Sequence, residues 1–133
     1  MARRNYGETI AHLVEPSRYP YQFAGNYAKY AKDPNTSLVD THCLVALMAP
    51  RPILLSTAST DGWSDPYGEF LAAVAATPVF KLMGKQGLDN DKFPGAGPIV
   101  GHELSYINVT GRHGTPDWDA WLMFMDTYLK PRT

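Results

Sequence analysis

Two short apolar runs, Pro52-Ile53-Leu54-Leu55-Ser56-Thr57-Ala58 and Leu104-Ser105-Tyr106-Ile107-Asn108-Val109, set the strongest limit on the fold. Each is too short for a typical helix; the first reads as a buried parallel strand and the second, rich in β-branched and aromatic residues, as another. Between them Pro66 opens a segment with Phe70, Leu71, Val74 and Ala75 at helical spacing, and Asp65 stands ready to cap it. Strand, helix and strand in that order predict an α/β architecture.

The remaining segments fill in around this unit. Thr77-Pro78 is expected to kink or restart the central helix, with Val79, Phe80, Leu82 and Met83 continuing its apolar side. Residues 84–101, which hold Gly84, Gly87, Pro94, Gly95, Gly97, Pro98 and Gly101, read as a loop, either a functional excursion or a shielding flap. Pro116 to Lys130 is predicted as a helix whose Trp118, Trp121, Leu122, Met125, Tyr128 and Leu129 recur every three or four residues, so one side must bury, with the sheet as its cover. Asp40 to Met48 reads as a helical turn capped by Asp40 and ended by Pro50, and Gly25 to Lys32 as a short helix with Lys29 and Lys32 outward. The first 37 residues otherwise suggest short helices and loops.

A parallel sheet of two strands cannot bury both faces, and its open edge exposes unpaired backbone groups. The 133 residues are therefore read as one unit, the C-terminal part of a single larger domain. Twelve basic against thirteen acidic residues give a net charge of −1, which offers little to nucleic acid. No run reaches the roughly 18 apolar residues of a membrane span. The opening residues lack the apolar stretch of a secretory signal; if a complete parent is exported, to the periplasm or beyond, its signal is expected upstream. The single Cys43 excludes an internal disulfide and reads more readily as a small buried hydrophobe than as a nucleophile.

The chemistry is expected at the carboxyl ends of the strands. Asp61 follows the first strand, and His113 lies between the second strand and the last helix. An α/β-hydrolase orders its triad Ser, then Asp or Glu, then His, and Asp61 and His113 fit the last two places. Asp61 would orient the His113 ring and stabilise its imidazolium, while His113 would act as general base. Asp65 reads as a helix cap instead, and His12, His42 and His102 lack the strand-loop-helix setting. None of Ser17, Ser37, Ser56, Ser59, Ser64 or Ser105 lies in a Gly-x-Ser-x-Gly elbow, so the nucleophile is expected outside this chain. Trp63 reads two ways, as a half-buried aromatic or as a platform for a sugar ring. No zinc pattern and no P-loop occur, so neither a metal nor a phosphate site is expected. Asn35-Thr36-Ser37 and Asn108-Val109-Thr110 match the glycosylation triplet only weakly.

Several stretches together resemble the C-terminal part of bacterial glucuronoyl esterases, carbohydrate esterase family fifteen, and close relatives labelled acetyl xylan esterases. They are Arg3-Arg4-Asn5-Tyr6-Gly7-Glu8-Thr9, Tyr21-Gln22-Phe23-Ala24-Gly25-Asn26-Tyr27, Asp40-Thr41-His42-Cys43-Leu44-Val45-Ala46-Leu47-Met48-Ala49-Pro50-Arg51-Pro52, Asp61-Gly62-Trp63-Ser64-Asp65-Pro66 and Gly111-Arg112-His113. The resemblance implies an α/β-hydrolase that cleaves the ester between a glucuronic acid side group of xylan and a lignin alcohol, without a cofactor. It implies that Asp61 and His113 match the family's acid and histidine, and that Trp63 matches a tryptophan of the glucuronate pocket. The family's Ser, its oxyanion-hole arginine and an alternative Glu acid would lie upstream, in a missing N-terminal half. Arg3 and Arg4 do not match that arginine and read as structural or surface charges.

Three further readings remain at this point. One is an acetyl xylan esterase, since the residues present do not separate glucuronate from acetyl esters; another is a non-catalytic remnant that binds carbohydrate or another subunit through the exposed sheet edge and aromatic residues; the third is an unrelated small domain with chance motifs. The last requires Asp61 and His113 to lie far apart.

Overall fold

A computed structural model describes residues 7–130. Arg3 and Arg4 lie outside the described residues. Three strands, β1 (Ile53–Ala58), β2 (Val100–Gly101) and β3 (Leu104–Val109), form one mixed sheet in the order β1-β3-β2. β1 and β3 run parallel with Ile53 opposite Leu104 and Ala58 opposite Val109, so both strands end at the same rim. β2 runs antiparallel to β3 through Val100 opposite Tyr106.

Helices cover both faces. α3 (Pro66–Leu82) supplies the crossover and packs Phe70, Ala73, Ala76 and Phe80 against Leu104 and Tyr106, with Ile53 and Leu55 of β1 on the same side. α4 (Trp118–Leu129) lies on the other face, where Ala120 meets Ala58, Ile107 and Val109. All six residues of β3 are buried, which accounts for a run apolar on both sides of the strand. Two further helices are short: α1 (Ile10–Leu13), opened by the Thr9 side chain, and α2 (Thr41–Ala46), where the Asp40 carboxylate accepts from Thr41 N–H at 2.7 Å. Gly25–Tyr30 forms a 3-10 helix with Lys29 and Lys32 exposed.

Three expectations need correction. Of the two expectations at Thr77-Pro78, the restart does not occur: α3 is continuous there. It runs through Pro78 because buried Ala76 and Phe80 anchor the turns on either side, and Thr77 Oγ1 donates to Ala73 O while accepting from Leu88 N–H. The glycine-rich segment does not stay a loop to Gly101: Val100 and Gly101 pair with β3, a strand too short to leave a periodic signal. The apolar face of α4 is only partly covered among the described residues. Trp118, Leu122, Met125 and Leu129, spaced four, three and four apart, are exposed, because the three-stranded sheet reaches only the side marked by Ala120 and Trp121. No described helix is long and apolar enough to cross a membrane.

Candidate active site

The parallel pairing of β1 with β3 continues past the strand ends. Ser59 N–H donates to Val109 O at 2.8 Å and Thr60 N–H to Gly111 O at 2.9 Å, which zips the two following loops together. A side chain at Gly111 would drive into Thr115, whose hydroxyl donates to Arg112 O at 2.7 Å and accepts from Arg112 N–H. That closed turn projects His113 back over the loop after β1.

There Asp61 Oδ2 lies 2.7 Å from His113 Nδ1. The acid side chain is 10% exposed and the imidazole 83%, so one partner is anchored in protein while the other reaches into solvent. Burial works to raise the Asp61 carboxyl, but hydrogen bonds from Ser64 and His113 outweigh it and hold the group below the ordinary carboxylate value. The ionised acid then favours the tautomer with a proton on Nδ1, which leaves Nε2 basic and outward. The chance-motif reading required these two residues to be far apart, and they touch.

Ser64, to which the sequence assigned no role, approaches the same Nδ1 at 3.3 Å. It therefore shares the nitrogen held by Asp61. A relay through the ring needs the hydroxyl on one nitrogen and the acid on the other, so Ser64 is not arranged as a nucleophile. Asp65 does cap α3, accepting from Gly68 N–H at 3.0 Å.

Trp63, two residues after Asp61 in the chain, is 49% exposed. Its ring meets His12 edge-on at 5.2 Å between centroids, and its carbonyl accepts from Glu8 N–H at 3.3 Å. Gly7 approaches so closely that a Cβ there would strike the Trp63 carbonyl. Neither contact was visible in the sequence, since no local pattern links residues 7–12 to residue 63. A cleft of about 310 Å³ runs from Asp61, Ser64 and His113 past Glu69 to Ser56 and Trp121, whose indole N–H donates to Ser56 Oγ at 3.2 Å.

The other histidines stand apart. His102 Nε2 pairs with Asp89 at 2.9 Å on an exposed surface, and His42 Nε2 lies 3.6 Å from Cys43 Sγ on α2. Among the described residues no three His, Cys, Asp or Glu side chains gather as a metal site. Asn108 of the second glycosylation triplet is buried in β3.

Parallel strands joined by a helical crossover, with a carboxylate and an imidazole meeting at their carboxyl ends, define a section of an α/β-hydrolase fold. Known proteins agree. Carbohydrate esterase MZ0003, from an unknown prokaryotic organism, is 35% identical over 131 residues, which are 97% of this chain and 30% of that protein. A promiscuous CE15 esterase from a marine bacterial metagenome superposes with a TM-score of 0.90 at 35% identity, over 96% of this chain and 32% of its own. Glucuronoyl esterases from Solibacter usitatus and Teredinibacter turnerae superpose with TM-scores of 0.87 and 0.85, each at 39% identity and over 97% and 95% of this chain. No family model matches. The chain is a relative of the CE15 carbohydrate esterases and carries a section of their α/β-hydrolase fold, spanning about a third of their length.

Proposed function

We propose that this chain supplies the acid and the general base of a serine-type carboxylic ester hydrolase acting on plant cell-wall polysaccharide, with the glucuronoyl ester between xylan and lignin as substrate. The observation that carries the reading is the Asp61–His113 contact of 2.7 Å at the carboxyl ends of two parallel strands. The esterase relatives support the reaction class.

In this reading the nucleophilic Ser and its oxyanion donors come from the rest of the hydrolase domain. His113 Nε2 takes the Ser hydroxyl proton as that oxygen bonds to the ester carbon, and Asp61 stabilises the imidazolium. The same proton passes to the departing alcohol as the ester C–O bond breaks. His113 then takes a proton from water, which attacks the acyl-enzyme, and returns it to the Ser oxygen as the free acid leaves. Trp63, half exposed and buttressed by His12, offers an indole face to the sugar ring and an N–H to its oxygens. No cofactor enters any step. A periplasmic or secreted setting suits a plant-polymer substrate.

The test is hydrolysis of a benzyl ester of glucuronic acid by a continuous chimera, in which this chain replaces the matching third of the Solibacter usitatus enzyme. Turnover by the chimera, absent from the isolated chain and lost on His113→Ala, is expected. Activity of the isolated chain that depends on His113 would place the nucleophile within these residues. A folded chimera that turns over equally well with His113→Ala would remove His113 from the reaction.

A further inference from the structure

His113 hangs from one corner of its ring. The imidazole is 83% exposed, and its hydrogen bonds among the described residues both fall on Nδ1, with Asp61 Oδ2 at 2.7 Å and Ser64 Oγ at 3.3 Å. A ring held through one nitrogen by a single acceptor can pivot about that bond and carry Nε2 away from its target. A second partner, approaching from a different direction, removes that freedom.

The backbone places this second partner. Ser64 ends the 3-10 turn Gly62–Ser64, and its N–H donates to Asp61 O at 3.1 Å and to Asp61 Oδ1 at 3.3 Å. The next residue, Asp65, caps α3 through Gly68 N–H. Ser64 is thus pinned between the acid and the helix, so the fold sets the direction of its Cβ.

The hydroxyl has a use for both of its functions, as one donor and as an acceptor with two lone pairs. Burial works to raise the Asp61 carboxyl, and among the bonds that lower it the one from the Ser64 side chain stands ahead of the one from His113. The O–H therefore donates to the carboxylate, which leaves its lone pairs for the proton on Nδ1. Asp61, Ser64 and His113 close a ring of three hydrogen bonds in which each residue holds the other two.

We infer that Ser64 is a positioning residue for the general base: its hydroxyl fixes the Asp61 carboxylate and the His113 ring in one mutual orientation, with Nε2 turned outward to the reacting hydroxyl. Ser64 acts through His113 and takes no proton of its own from the substrate. The inference deepens the proposed function and rests on it for the role of His113 as base. Sequence patterns carry no sign of this role, because Ser64 lies 49 positions from His113. Alanine at position 64 keeps the turn, its N–H bonds and the neighbouring cap and deletes the hydroxyl alone, so the role can be isolated.

Two measurements test it. In the continuous chimera, Ser64→Ala should lower kcat roughly tenfold with KM unchanged, and Ser64→Thr, which returns a hydroxyl, should recover most of the loss. In this chain with isotopically labelled histidine, the Nδ1 proton of His113, assigned by its disappearance in His113→Ala, is followed by magnetic resonance. It should exchange with water several-fold faster in Ser64→Ala than in wild type, and at close to the wild-type rate in Ser64→Thr. Unchanged exchange at Nδ1 in Ser64→Ala overturns the contact. Unchanged kcat in the same variant overturns the role, as does a loss confined to KM. If the wild-type chimera hydrolyses nothing, the proposed reaction fails, while the exchange rates still decide whether Ser64 orients the ring.

Discussion

Asp61 Oδ2 and His113 Nδ1 meet at 2.7 Å although no regular element contains either residue. What joins them is the register of β1 on β3, carried two bonds further by Ser59 and Thr60. The pair is a consequence of the sheet, and its chemistry depends on which ring nitrogen the acid holds.

His113→Ala in the active chimera removes the base, and the expected loss in kcat is about 10³-fold or more, with what remains coming from substrate binding and oxyanion donors. Asp61→Asn keeps the shape but no longer favours a proton on Nδ1, and a loss of roughly 10²- to 10⁴-fold is expected. Steady-state kinetics with KM little changed would assign both effects to the chemical step. A fall confined to KM would make the pair a binding element.

The lowered Asp61 carboxyl also has a sign in stability. A group held below its unfolded value stabilises the fold above that unfolded value, and the contribution is lost as pH falls through the folded one. Wild type should therefore exceed Asp61→Asn in urea resistance at neutral pH, and the gap should close below pH ~4. A gap that stays constant down to pH 2 would mean that the carboxylate's charge contributes nothing.

Asp65 is the described non-glycine residue with a positive φ, 56°, and its carboxylate also caps α3 at Gly68 N–H. Two costs meet at one position. Asp65→Ala loses the cap and strains the left-handed backbone, so a loss of about 2 kcal/mol is expected. Asp65→Gly loses the cap but relaxes the backbone and should cost less, while Asp65→Asn keeps both features and should cost least. Chemical denaturation of the three variants gives the order; equal losses would show that neither cap nor strain matters.

Much of this arrangement was legible because it is local. The two apolar runs became β1 and β3 within a residue of the expected ends, and Asp65-Pro66 marked the start of α3. The loops carrying Asp61 and His113 could be placed because each follows a strand, and the strands' parallel pairing then brings the loops together. The illegible parts are tertiary. Pro78 reads as a kink or restart from the sequence, and the packing of Ala76 and Phe80 with the hydrogen bonds of Thr77 carries α3 across it. Periodicity showed that α4 has an apolar side, but the sheet expected to cover it reaches only the side of Ala120 and Trp121, and Trp118, Leu122, Met125 and Leu129 are exposed. The His12–Trp63 contact joins residues with no pattern in common.

Tyr106 carries the last prediction. It is fully buried in β3, where its hydroxyl lies 2.6 Å from Thr57 Oγ1 and donates to Pro66 O at 3.0 Å, joining β1, β3 and the first turn of α3 directly beneath the rim. Burial, with the nearby acids Glu69 and Asp65 adding to it and the Thr57 bond opposing, pushes the phenol up to about 12. A raised value favours the neutral form in the fold, so its contribution is complete below the unfolded value near 10 and is lost as pH rises through about 12. In an ultraviolet titration Tyr106 should ionise after the exposed tyrosines, and Tyr106→Phe should remove that late step. The same variant leaves the Pro66 carbonyl without this donor, for an expected cost of about 1–3 kcal/mol at pH 7. If Tyr106→Phe instead matched wild type in stability and the late step persisted, the hydroxyl would not be the bond that fixes α3 to the sheet.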